Sequence, residues 1–167
     1  LMPTNSTEAI VKQMASDGIT GMIMLAPDTT SGHLMAGTAQ YAAKIYDIPV
    51  TGIFFYAEKD SESIKTATAA ASMNTARVAA NTRAREILSD ILTQERLTAI
   101  EKSSLTLQLE KLSKTDTLGK LPYDAVLFLG DGDDTETLAS FLRYYGVSAR
   151  DARFYGTALW DGSDITR

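Results

Sequence analysis

The chain has 167 residues, 44% of them hydrophobic and 22% charged, which suits one globular domain with a real core or one lobe of a larger protein. A formal charge of −5 and a pI near 4.9 exclude a nucleic-acid footprint, because phosphate binding needs clustered lysine and arginine. Zero cysteines exclude disulfides, thiolate zinc sites and cysteine nucleophiles, and the single histidine, His33, excludes a multi-histidine metal centre.

Residues 5–17 read as a first helix, with Asn5 or Ser6 as the cap, Ile10, Val11 and Met14 on one face, and Gly18 as the stop. Residues 19–26 (ITGMIMLA) form a buried-strand pattern, and 27–31 a hydroxyl-rich loop. A helix follows over 32–46, with Leu34, Met35, Ala39, Ala42 and Ile45 at helical spacing; Pro49 forbids its continuation. A second strand is expected over 50–56 (VTGIFFY) and a third over 125–129, whose unbroken apolar run AVLFL fits a strand covered on both faces. Gly130 to Gly132 stop that strand, Asp133, Asp134 or Thr135 caps the helix that follows, and Leu138, Phe141, Leu142 and Tyr145 supply its apolar face. A fourth strand is expected over 153–159 (RFYGTAL), after the turn-like VSARDA and before Trp160, Asp161 and Gly162. Strands alternating with helices predict an α/β fold: a doubly wound, mainly parallel sheet of about four or five strands.

Residues 61–118 are too long for a minimal crossover, contain no proline or glycine, and repeat apolar residues at Ile87, Leu88, Ile91 and Leu92 and then at Leu105, Leu109 and Leu112. They predict a long helical insertion within a single lobe spanning 1–167, folded as a hairpin that bends between Thr98 and Ser104. The alternation of Leu105, Leu107 and Leu109 also fits a short strand. The insertion is read either as a crossover packed on the sheet or as a contact surface for another protein, with Arg83, Arg85 and Glu95 as candidate partner-surface residues.

Ligands of open α/β sheets bind outside the carboxyl ends of the strands, so the GDGDD segment is the first place to look for a site. Asp131 and Asp133 fit the first and third positions of a calcium loop, but Glu136 stands where glycine is needed and Leu142 where the bidentate acid belongs. Asp131, Asp133 and Thr135 also match the D-x-D-x-T motif of haloacid-dehalogenase-like phosphatases, in which magnesium assists an aspartate nucleophile. The chain lacks the downstream lysine of that family, so this remains a distant alternative. No Gly-Lys-Ser/Thr loop and no complete dinucleotide fingerprint is present. His33 has no G-x-S-x-G serine to serve and reads as a surface or packing residue. No cofactor or metal is expected. Asp28, Thr29, Thr30, Ser31, Tyr56, Asp131, Asp133 and Trp160 are the ligand-cleft candidates.

The order ITGMIMLAPDTTSGH, VTGIFFY, a long helical segment, LPYDAVLFLGDGDD with FLRYYGV, and ARFYGTALWDGSD resembles the carboxy-terminal lobe of the type I periplasmic-binding-protein fold. Within it the chain is most similar to the penicillin-binding-protein activator lipoproteins, which are often grouped with Leu/Ile/Val receptors. The resemblance implies an extracytoplasmic, non-enzymatic binding domain whose amino-terminal partner lobe lies outside this chain. Its partner would be a cell-wall synthase or another envelope protein, and its alternative would be an amino-acid ligand of an ABC-transporter receptor. Receptors of the family commonly show Asp-Thr-x-Tyr-Gly after the first strand of this lobe; here Asp28, Thr29, Thr30, Ser31 and Gly32 align, with Ser31 in the tyrosine position. No apolar run approaches the roughly 20 residues that span a bilayer. The start LMPTNSTEAI carries no signal core, so any signal or lipid anchor is expected upstream.

Overall fold

The computed structural model describes residues 3–156, which divide into two compact units. The first comprises the described residues up to Ser72 and from Leu121 onward, the second Met73–Lys120. The candidate Trp160, with Asp161 and Gly162, lies outside the described residues.

The first unit is built on four parallel strands in the order β2-β1-β3-β4: β1 (Met22–Pro27), β2 (Val50–Tyr56), β3 (Ala125–Phe128) and β4 (Arg153–Gly156). Between them run α1 (Pro3–Ser16), α2 (Thr30–Ile45), α3 (Ser61–Ala71) and α6 (Gly132–Tyr144). The absence of alternation in MIMLAP and AVLF has a direct cause: every residue of β1 and β3 is buried, because both faces of the sheet are covered. Successive side chains point to opposite faces. Met22, Met24, Ala26 and Leu127 therefore meet Ile10, Val11 and Met14 of α1 and the alanines of α2. Ile23, Leu25, Val126 and Phe128 meet Ile64 and Ala67 of α3 and Leu138 and Leu142 of α6. Ala36, Ala39, Ala42 and Ala43 are all buried along α2, and their small side chains let that helix lie close to its neighbours.

Two carboxylates lock the amino ends of the strands. Asp124 accepts from the amides of Thr20 and Gly21 and from the Thr20 hydroxyl at 3.0–3.1 Å, which ties the approach to β1 to the approach to β3. Asp17, just beyond α1, accepts from the Tyr155 hydroxyl at 2.7 Å and stands 3.4 Å from Arg153, which ties α1 to β4. The Tyr155 hydrogen bond is the main reason the Asp17 carboxyl is held below its ordinary value, and burial is the main reason the Tyr155 hydroxyl is held above its own.

The second unit holds α4 (Asn74–Leu92) and α5 (Ala99–Ser113). Its one buried helical residue is Asn81, whose amide donates to the carbonyls of Leu112 and Thr117. Leu88, Ile91, Leu105, Leu109 and Leu112 are half-buried, and Ile87, Ile100 and Leu107 are exposed. Thr98 and Glu101 form a reciprocal capping box, each side chain accepting from the other residue's amide at 3.1 Å.

Several boundaries differ from the sequence expectation. α1 begins at Pro3, whose fixed φ and missing N–H suit a first turn, so Asn5 and Ser6 are not its cap. β1 begins at Met22 because the amides of Thr20 and Gly21 are spent on Asp124. The helical stretch is three helices: a break at Ser72 and Met73 separates α3 from α4, with Met73 in a left-handed conformation. The α4–α5 turn lies at residues 93–98, ahead of the expected bend, because the capping box starts α5. Leu105, Leu107 and Leu109 are helical rather than a strand. The cap of α6 is Asp131, whose Oδ1 accepts from the Asp134 amide at 3.1 Å, so Asp133, Asp134 and Thr135 lie inside the helix. Of the expected fourth strand, Arg153–Gly156 is strand and residues 157–159 lie outside the described residues.

Candidate functional site

Because all the strands are parallel, every strand delivers its last residue to one edge, where α2, α3 and α6 begin. The first group of side chains follows β1. Pro27 is buried, and the chain then turns so tightly that a Cβ on Gly32 would collide with the Pro27 carbonyl. Thr29 caps α2 by accepting from the Gly32 amide at 3.0 Å. Asp28 and His33 reach across this turn to each other at 2.8 Å, and both are more than half exposed. The His33 ring stacks on Phe55 of β2, centroids 4.0 Å apart and planes within 12°. Thr30 and Ser31 are exposed in the first turn of α2. The result is a solvent-facing carboxylate and imidazole held on an aromatic platform.

The second group follows β2 and β3. Tyr56 closes β2 opposite Pro27, is 1% exposed, and has a hydroxyl with no hydrogen-bond partner among the described residues. That hydroxyl is packed so closely on Gly130 that a Cβ there would collide with it. Burial, reinforced by the negative charges of Asp134, Asp131 and Glu58, holds its pKa far above the ordinary tyrosine value. Lys59 adopts a left-handed conformation, φ 58°, and its amide donates to both oxygens of Asp134 at 3.3 Å. Glu58, Asp131 and Asp134 each place a carboxylate oxygen within 4.8 Å of the others; Asp134 is buried, and the other two are exposed.

The cleft candidates Asp28, Thr29, Thr30, Ser31, Tyr56, Asp131 and Asp133 thus all lie along this edge, with Asp133 exposed and outside the carboxylate trio. Arg83, Arg85 and Glu95 lie in the second unit. Arg83 is exposed on α4; Arg85, two residues on and therefore on a different helix face, has a buried Nε without a hydrogen-bond partner among the described residues; Glu95 is exposed in the 93–98 turn. Sequence reasoning missed Glu58, the His33–Phe55 stack and the role of Asp134. Glu58 follows the last strand residue by two positions, so applying the carboxyl-edge rule to every expected strand would have found it.

No family model and no curated protein sequence matches the chain. Solved structures do. An extracellular ligand-binding receptor from Verminephrobacter eiseniae is similar over 94% of this chain at 16% identity and a TM-score of 0.53. A branched-chain amino acid ABC transporter periplasmic ligand-binding protein from Burkholderia xenovorans is similar over 92% at 11% identity and 0.51, and a periplasmic binding protein from Burkholderia mallei over 91% at 10% identity and 0.51. The chain spans about a third of the length of these structures, 32%, 28% and 28% respectively. At this identity the likeness is one of fold: the chain has the α/β fold of part of a type I periplasmic binding protein. Among the described residues no helix is long and apolar enough to cross a membrane.

Proposed function

We propose that this chain is the binding lobe of an extracytoplasmic, two-lobed binding protein, and that it holds a small polar ligand of the amino-acid class at the carboxyl edge of its sheet without catalysing a reaction. The observation that carries this reading is the convergence on one edge of an exposed Asp28–His33 pair, the Phe55 ring beneath the imidazole, and the capped start of α2. A carboxylate complements an ammonium group, an aromatic platform covers apolar ligand surface, and the edge needs a second lobe to exclude water. The similarity in fold to a branched-chain amino acid ABC transporter periplasmic ligand-binding protein supports the ligand class. The phosphatase alternative has no support beyond its motif, since Asp133, which would be its acid/base, is exposed and lies outside the carboxylate trio.

The test is a thermal-shift screen of the intact protein, with its companion lobe, against the twenty L-amino acids. At least one is expected to raise the Tm, and Asp28→Ala is expected to remove that rise. A flat screen with the intact protein would contradict the reading.

A second reading, resembling the activator lipoproteins, places a protein contact on Met73–Lys120, where a cell-wall synthase would dock. Its support is the exposure of Ile87, Ile100 and Leu107 on two helices that together bury one side chain. Charge reversal at Arg83 or Glu95 is expected to weaken capture of a purified synthase while the melting temperature holds. Unchanged capture would remove this reading.

A further inference from the structure

We propose that Glu58, Asp131 and Asp134, with the Tyr56 hydroxyl beside them, form a binding site for a calcium-type divalent cation. The geometry matches the ion: calcium–oxygen bonds of about 2.3–2.6 Å allow two ligand oxygens on one ion to stand at most about 5 Å apart. The three carboxylates already meet that limit, with oxygens within 4.8 Å of one another. All the donors are hard oxygens, which favours calcium or magnesium over softer metals.

Two independent observations single this cluster out from an ordinary acidic surface. Asp134 is 4% exposed, yet among the described residues it has no ion pair, only the Lys59 amide at 3.3 Å. A carboxylate withdrawn from water without a counter-charge is costly, and two further carboxylates at its side raise that cost. The Tyr56 hydroxyl, buried against Gly130, the neighbour of Asp131 in the chain, has no hydrogen-bond partner among the described residues. A cation here satisfies both at once: it neutralises the buried charge and gives the phenol oxygen, directly or through one water, something to bond. Asp131 spends only Oδ1 on the cap of α6, and Glu58 has no hydrogen bond among the described residues, so lone pairs remain on every member. The α6 amino terminus opposes a cation with roughly half a positive charge, less than the three negative charges offered. No contiguous calcium loop is needed, because the ligands come from two separate strand ends. The site requires neither a second lobe nor an organic ligand, so its success or failure leaves the proposed function untouched.

Calorimetric titration of the chain with calcium chloride is expected to give one site per molecule, and the Tm is expected to rise with calcium. Glu58→Gln and Asp134→Asn should each lower the affinity by about tenfold or more, since affinity follows the number of charged ligands. Glu136→Gln removes the same charge from an exposed position on α6 outside the trio and should leave the affinity within about twofold. In EDTA, Asp134→Asn should melt at or above the wild type, because a buried charge is gone, whereas in calcium the order should reverse. Terbium luminescence sensitised by tyrosine should fall in Tyr56→Phe. An absence of heat and of any Tm change in millimolar calcium or magnesium would overturn the proposal. A melting order indifferent to calcium, or a Glu136→Gln loss equal to that of Glu58→Gln, would do the same.

Discussion

The two units of this chain are held together by different means. In the first, the strands β1 and β3 are buried at every position and the helices on both faces contribute continuous apolar surface. In the second, α5 buries no residue and α4 buries one, an asparagine. Side chains at the carboxyl edge of the sheet are aimed by a close-packed layer, which makes a preformed site possible there. The helical unit relies on a capping box, one buried amide and half-covered leucines, which suits a surface completed by something else.

Truncating one leucine in each unit separates the two modes of packing. Leu127→Ala, fully buried in β3, should cost about 3 kcal/mol in chemical denaturation, as large-to-small core substitutions do. Leu107→Ala, 52% exposed on α5, should stay within about 0.5 kcal/mol. Equal losses would mean that the two units are packed alike.

The edge itself can be probed by a pair of substitutions. Gly130→Ala drives a methyl group into the Tyr56 hydroxyl and should cost about 2 kcal/mol by overpacking. Adding Tyr56→Phe removes the colliding atom, so the double variant should recover most of that loss. Simple additivity of the two would place the strain elsewhere.

In the helical unit, Asn81→Ala removes the amide that bridges the Leu112 and Thr117 carbonyls and should cost about 1–2 kcal/mol. Hydrogen exchange should report it as faster opening within residues 73–120, with the strand amides unchanged. Thr98→Ala strips the capping box and should cost about 1 kcal/mol, read as fraying of the first turn of α5.

The smallest effect is one of pH. Asp17 is more acidic in the folded protein than its ordinary value of 3.8, chiefly through the Tyr155 hydrogen bond. Its stabilising contribution is therefore complete above that value and is lost as pH falls through the lower, folded one. Denaturation of the wild type and of Asp17→Asn between pH 6 and 2 should show the wild-type advantage shrinking toward the acid end. An advantage that grows there would reverse the assignment.

Much of this was legible in the chain. The unbroken runs MIMLA and AVLF announce doubly covered strands, whereas VTGIFFY is a half-buried edge strand, and the carboxyl-edge rule places Asp28, Tyr56 and Asp131 along one edge from sequence alone. What stayed hidden depended on long-range pairing. Which acids share a site is decided by β1 lying between β2 and β3, which brings Glu58 to Asp131 across more than seventy positions of chain. The break at Met73 was hidden for another reason: no glycine or proline marks it, and methionine adopts a left-handed conformation there. The start of α5, by contrast, was written in Thr98 and Glu101 as a capping box, a signal present in the chain but masked by the leucine pattern on either side.

On the proposed reading, binding belongs to the close-packed edge rather than to the helical unit. Hydrogen exchange of the intact protein, with and without the amino acid mixture at millimolar concentration, tests it most directly. New protection is expected in residues 28–33 and 56–60, with residues 73–120 unchanged. Protection confined to 73–120, or no change anywhere, would contradict it.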